Sequence, residues 1–235
     1  TYQLKVDEAP SIDKSQASWG GGERSWLHPA TTYSLLIPFS ESNGYADVSS
    51  VELSLATGLD DPVTMSWDSE TSSCSSTSEW LLASGCEVVS QSDELDAFTS
   101  SLALQANFSL DWGFPVGGDV LSPSLEVVDR AGQGDWVSLP ELGWRFSTDI
   151  EIPAYSLSLS AEEGGATAEH AWVAPSSEVT LSGTLQFAQT GDVPDTSLEV
   201  RVTLGGSGHT VDSDNGTWSA TLDAPRSATE DLELT

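Results

Sequence analysis

From Leu102 to Trp112 every second residue is apolar. Leu102, Leu104, Ala106, Phe108, Leu110 and Trp112 share one face, and Ser, Ala, Gln, Asn, Ser and Asp occupy the other. Side chains alternate across a strand, so this is the pattern of a strand buried on one face only. The same period recurs at Val51, Leu53 and Leu55, at Leu198, Val200, Val202 and Leu204, and at Trp218, Ala220 and Leu222. Between these runs lie turn clusters: "SESNGYAD", "TGLDDP", "PVGGD", "RAGQGD", "TGDVPD" and "DSDNGT". Asn-Gly in the last is the strongest hairpin signal, because both turn positions tolerate positive φ. Only "SDELDAFTSSLAL" opens like a helical turn, and it soon returns to period two. The pattern predicts an all-β chain.

Strands are expected around 33–39, 48–56, 63–68, 87–90, 101–112, 124–129 and 144–152, then around 155–160, 178–187, 197–204, 209–213, 217–223 and 229–235. Strands at this spacing with Greek-key-length connections read as two β-sandwiches in tandem. The expected division is an N-terminal strand and a Gly/Trp-containing linker (1–30), a first sandwich (31–153) and a second, smaller one (154–235). "SETSSCSSTS" and "AEEGGATAE" read as polar loops.

A length of 235 residues suits one large domain or two small ones. Charge changes the picture more. Thirty-seven acidic residues stand against 7 basic ones, a formal net charge of -30. Such a surface repels nucleic acid and anionic lipid, which removes both as partners. The acids are spread along the whole chain, which fits solubility in a salty medium where screening acts over roughly 8 Å or less; the alternative is cation binding. No stretch approaches the ~18 apolar residues of a membrane span. The chain opens on Thr1 and its single methionine is Met65, so it is expected to be a processed or excised piece of a longer precursor.

Cys74 lies in "ETSSCSSTSEW" and Cys86 in "ASGCEVV", polar settings unlike those of a buried thiol. The spacing fits a loop-closing disulfide, to which the chain-entropy account assigns about 3 kcal/mol, and hence an oxidising, extracytoplasmic setting. Two cysteines with His28, His170 and His209 scattered are too few soft ligands for a metal centre. The sequons at Asn107 ("NFS") and Asn215 ("NGT") are candidate glycosylation sites compatible with that setting.

The segment "EVTLSGTLQFAQTGDVPDTSLEVRVTLGGSGHTVDSDNGTWSATLDAP" resembles the immunoglobulin-like repeats of microbial surface proteins, with Gly183, Gly191, Asp214, Gly216 and Trp218 at the places their grammar requires. "VDEAPSI" followed by "SESNGYADVSSVEL" is similar to the junctions and early strands of cadherin-like and related bacterial repeats. Together these motifs cover about half the chain. In cadherins such a junction carries further Asp and Asn ligands for calcium; of that junction this sequence keeps Asp7, Glu8 and Pro10. The resemblance implies tandem Ig-like sandwiches at a cell surface.

Hydrolase signatures are missing: "GGSGH" at 205–209 is not a G-x-S-x-G elbow, and there is no H-E-x-x-H, phosphate-cradling loop or EF-hand loop. Each histidine stands alone and reads as a surface or capping residue. A glycosidase using two carboxylates from different strands is the enzymatic alternative. Trp19 and Trp26, in the Gly-rich "ASWGGGERSWLHP", are the candidates for stacking on a sugar, or else cap the first sandwich. Trp112, Trp144 and Trp218 are expected in cores. Candidate calcium ligands are Asp60 and Asp61, Asp192 and Asp195, and Asp212 and Asp214, with self-capped Asx-turns as the alternative. Tyr2, Leu4 and Val6 alternate ahead of the junction and form a candidate donor strand for a neighbouring subunit.

The expected function is therefore a non-catalytic extracellular structural or adhesive protein, a unit of a cell-surface array, surface layer or filament. Its expected partners are copies of itself or neighbouring repeats, with glycans as a further candidate, and no cofactor is required. The alternative is a pair of carbohydrate-binding modules from a secreted enzyme.

Overall fold

The computed structural model describes residues 6–56, 63–92, 94–115, 119–161, 164–166, 171–204 and 207–226. Its contacts divide the chain into Thr1–Ser147 and Thr148–Thr235, each with its own core.

In the first unit twelve strands follow one another among the described residues: β1 (Ser11–Ile12), β2 (Ser18–Trp19), β3 (Trp26–Leu27), β4 (Tyr33–Ser40), β5 (Val48–Ala56), β6 (Val63–Asp68), β7 (Ser73–Ser76), β8 (Leu81–Ser90), β9 (Ser101–Leu110), β10 (Ser124–Asp129), β11 (Gly134–Ser138) and β12 (Arg145–Phe146). They build two five-stranded antiparallel sheets. One runs β1-β4-β9-β8, with β2 also paired to β4; the other runs β11-β10-β5-β6-β7. A short parallel pair, β3 with β12, stands beside them. The inward residues of the long strands, among them Leu35, Ile37, Leu53, Leu104, Phe108, Leu125 and Val127, are fully or almost fully buried in one core. Alternation thus puts each apolar face where two sheets can cover it.

Both open sides of this sandwich are stitched. Cys74 on β7 and Cys86 on β8 form a disulfide, with Cα atoms 5.6 Å apart, joining the edge strand of one sheet to that of the other. On the far side the Ile12 backbone N–H, on β1, donates to Asp135 Oδ2 on β11 at 2.9 Å. The cysteines therefore lie in edge strands, and part of "SETSSCSSTS", expected as a loop, is strand β7. Its side chains are polar on both faces, so no alternation marked it.

The segment expected as a linker is part of the first sandwich. β1 and β2 pair with β4 at Ser11↔Ser40 and Trp19↔Leu35, and Trp19 and Leu27 are core residues. The expected strand 144–152 is two short pieces, β12 and, in the second unit, β13 (Ile150–Glu151). No helical turn forms at "SDELDAFTSSLAL" among its described residues; Asp96 instead accepts from Phe98 N at 2.8 Å in a turn.

The second unit continues with β14 (Ser158–Ala161), β15 (Gly164–Ala166), β16 (Ala171–Val173), β17 (Glu178–Thr184), β18 (Gln186–Phe187), β19 (Glu199–Leu204), β20 (Ser207–Asp212) and β21 (Thr217–Asp223). β14-β17-β21 form a three-stranded antiparallel sheet, and β13–β18, β15–β16 and β19–β20 form antiparallel pairs. β15 falls within "AEEGGATAE", expected as a loop. The core gathers Val179, Leu181, Val200, Val202, Trp218 and Leu222. Between β20 and β21, Asn215 and Gly216 have φ of 48° and 68°, and Asp214 and Thr217 exchange backbone hydrogen bonds at 2.8 and 2.9 Å. That is the two-residue turn that Asn-Gly predicts. The strand expected at 229–235 lies outside the described residues.

Candidate metal centre

The turn between β4 and β5 is held tightly. Tyr45 N donates to Thr99 O at 2.8 Å, Ala46 N to Ala97 O at 3.1 Å, and Arg130 Nε reaches Ala46 O at 2.7 Å. Gly44, at φ 100°, lets this turn lie against the β8–β9 connection: a Cβ there would stand 2.5 Å from Ala97 O and 2.6 Å from Phe98 Cα. The turn carries Glu41, Asn43 and Asp47. The end of β10 supplies Asp129, and Arg130 N donates to Asp47 O at 2.8 Å, binding the two segments together. Asp7 approaches from the chain ahead of β1.

Asp7, Asp47 and Asp129 each place a carboxylate oxygen within 4.8 Å of the other two. The Asn43 side-chain amide donates to Asp47 Oδ2 at 3.1 Å and to Asp7 Oδ1, and Gln133 Nε2 donates to Asp7 Oδ2 at 2.8 Å. Asp129 Oδ1 accepts from Gln133 N at 2.7 Å and Glu41 Oε1 from Asn43 N at 2.8 Å. Their second oxygens, Asp129 Oδ2 and Glu41 Oε2, are buried and have no hydrogen-bond partner among the described residues. The two side chains are 1% and 0% exposed. Burial, and then the like charges of Asp47, Asp129 and Asp7, push the Glu41 carboxyl above its usual range, against the pull of the Asn43 N–H. An oxygen-rich cluster of this kind suits a hard cation.

Of the aspartates expected from sequence to bind calcium, Asp60 and Asp61 lie outside the described residues. Asp192, Asp195, Asp212 and Asp214 are exposed, and among the described residues none of them joins a group of three carboxylates. Asp7 was visible only as a junction residue. Glu41, Asp47 and Asp129 went unmarked, because nothing local distinguishes them from the other acids of so acidic a chain.

Trp19 is a core residue, its ring centroid 6.3 Å from that of Phe108, so its faces are covered by the first sandwich rather than open to a sugar. Trp26 is half-buried, with the Arg145 guanidinium 5.7 Å from its ring centroid. Trp144 and Trp218 are buried as expected, whereas Trp112, expected in the core, is 37% exposed just past the end of β9. His28 is buried rather than superficial: its Nδ1 lies 3.0 Å from Ser147 O, and its backbone N–H donates to Tyr33 Oη at 2.7 Å. His209 is exposed on β20, and His170 lies outside the described residues. Asn215 sits exposed in its turn, while Asn107 is half-buried in the middle of β9, paired on both sides. Of the alternating residues near the N-terminus, Tyr2 and Leu4 lie outside the described residues, and Val6 is 74% exposed. No helix among the described residues is long and apolar enough to cross a membrane.

No family model matches the sequence, and none of the curated proteins matches it. Among solved structures the chain is similar to a variant of BcpA, the major pilin subunit of Bacillus cereus, with a TM-score of 0.38 at 14% identity over 94% of this chain and 58% of that one. BcpA itself gives 0.36 at 12% identity, over 98% of this chain and 67% of that one. A DUF4466 family protein from Parabacteroides merdae gives 0.33 at 11% identity, over 72% and 56%. The chain thus spans well under two-thirds of the first of these proteins.

Proposed function

We propose that this chain is a non-catalytic structural unit of an extracellular, cell-surface assembly, built of tandem Ig-like sandwiches that associate with copies of themselves. The observation that carries this reading is the stitching of the first sandwich along both sides, one of them covalent. A disulfide between two sheet edges suits an oxidising exterior. It also resists the parting of the two sheets. The buried Trp19 and the Arg145-covered Trp26 weigh against the carbohydrate-binding alternative.

Within this reading, residues 1–6 serve as a donor strand that adds to an edge of a neighbouring copy. The alternation of Tyr2, Leu4 and Val6 would set its register, and main-chain hydrogen bonds its affinity. The outer strands of the three-stranded sheet in the second unit, β14 and β21, are the acceptors this reading names.

Electron microscopy and sedimentation of the full chain test it. Ordered polymers or sheets, lost on deleting residues 1–6 and blocked by a peptide of residues 1–6, are the expected result. A chain that stays monomeric at every concentration and binds glycans saturably, with binding lost in Trp26→Ala, would overturn it.

A further inference from the structure

We infer that Asp7, Asp47 and Asp129, with the buried Glu41 beside them, bind a single hard divalent cation of calcium's class, which fastens the chain ahead of β1 to the first sandwich. The cluster alone would not carry this in so acidic a protein. What distinguishes it is the pair of carboxylate oxygens, Asp129 Oδ2 and Glu41 Oε2, that are buried without a hydrogen-bond partner among the described residues. A carboxylate taken out of water is costly unless something of opposite charge meets it. Around Asp129, Asp7 and Asp47 each bring a carboxylate oxygen within 4.8 Å.

The surroundings already satisfy the other oxygens. Asn43 N and Gln133 N hold Glu41 Oε1 and Asp129 Oδ1, so each side chain is oriented with one oxygen spare. Asn43 and Gln133 also hold Asp7 from two sides. The ligands come from three segments, which is how a β-sandwich can gather oxygens around an ion without a dedicated loop. Three converging carboxylates, with a fourth beside them and no sulfur or imidazole in the group, favour a hard cation. Their number favours calcium over magnesium, which keeps most of its water and takes one or two carboxylates.

The site is independent of the assembly reading, and its test uses the full chain, whatever its state of assembly, after treatment with a chelator. Calorimetric titration with calcium should show one saturable site per chain. Thermal unfolding should shift upward in calcium by an amount that sodium at matched ionic strength does not reproduce. Glu41→Gln and Asp129→Asn should each weaken calcium binding about tenfold or more, and Asp7→Asn should weaken it too. Asp192→Asn, in the second unit, should bind as the parent does.

Because Glu41→Gln and Asp129→Asn remove like-charge repulsion while keeping the oriented oxygen, both should fold in the absence of metal, which circular dichroism checks. Terbium gives a second readout. The rings of Tyr45 and Trp67, 6.0 Å apart beside the β4–β5 turn, should sensitise its luminescence, and calcium should quench it by displacement. Absence of saturable binding, or calcium binding by Glu41→Gln and Asp129→Asn equal to that of the parent, would overturn the site. Magnesium binding as tightly as calcium would overturn the assignment to calcium.

Discussion

Gly183 on β17 lies directly across from Trp218 on β21, and the indole folds over the glycine: a Cβ on Gly183 would stand 3.0 Å from Cζ2 and 3.1 Å from Nε1 of the ring. The two residues are one packing device, a missing side chain on one strand making room for a large one on the next. Gly183→Ala should destabilise the second unit by about 1–3 kcal/mol through overpacking. The denaturant midpoint followed by tryptophan fluorescence should fall with its slope unchanged. In a Trp218→Leu background the same substitution should cost much less, since the clash has gone; equal costs in both backgrounds would mean the ring is not the constraint.

Cys74 and Cys86 should show no free thiol in protein made under oxidising conditions. Replacing both with serine should destabilise the first unit by about 3 kcal/mol and leave the unfolding of the second where it was. Two free thiols in such material would contradict the link between β7 and β8.

Asp68 closes the turn that leads from β6 to β7. Its Oδ1 accepts from Thr71 N and Glu70 N, both at 3.0 Å, and from Thr71 Oγ1 at 3.1 Å. The Thr71 N–H foremost holds the carboxyl below its ordinary value of 3.8. A depressed carboxyl binds fewer protons folded than unfolded. Its contribution to stability is therefore present above the unfolded pKa and is lost as pH falls through the folded one. Asp68→Asn should flatten that part of the acid limb, and carbon-detected NMR titration should find Asp68 among the more acidic aspartates. A titration at or above the ordinary value would count against the turn geometry.

The formal charge of -30 predicts self-repulsion. With a chelator present, the thermal midpoint should climb as sodium chloride rises from low ionic strength, because the screening length shortens from ~30 Å at 0.01 M to ~8 Å at 0.15 M. A midpoint that is flat or falls over this range would show that the acids are too dispersed to strain the fold.

Period-two alternation by itself determined most of the long strands. The runs at 33–39, 48–56, 63–68 and 124–129 reappear almost unchanged as β4, β5, β6 and β10, and the Asn215–Gly216 turn is where its dipeptide places it. Both signals are local: alternation reports burial on one face, and a two-residue turn needs only residues that accept positive φ. Tertiary structure alone decided the rest. β7 and β11 were invisible because an edge strand is specified by backbone hydrogen bonds to its neighbour, and Ser73–Ser76 and Gly134–Ser138 carry little apolar pattern. Trp19 entered the core and Trp112 partly left it because burial depends on which distant strand lies across a residue. Asp7, Asp47 and Asp129 came together, with Glu41 buried beside them, for the same reason. Each is one acid among 37 in the sequence, and only the packing of three separate segments gathers three of the carboxylates and removes water from Asp129 and Glu41.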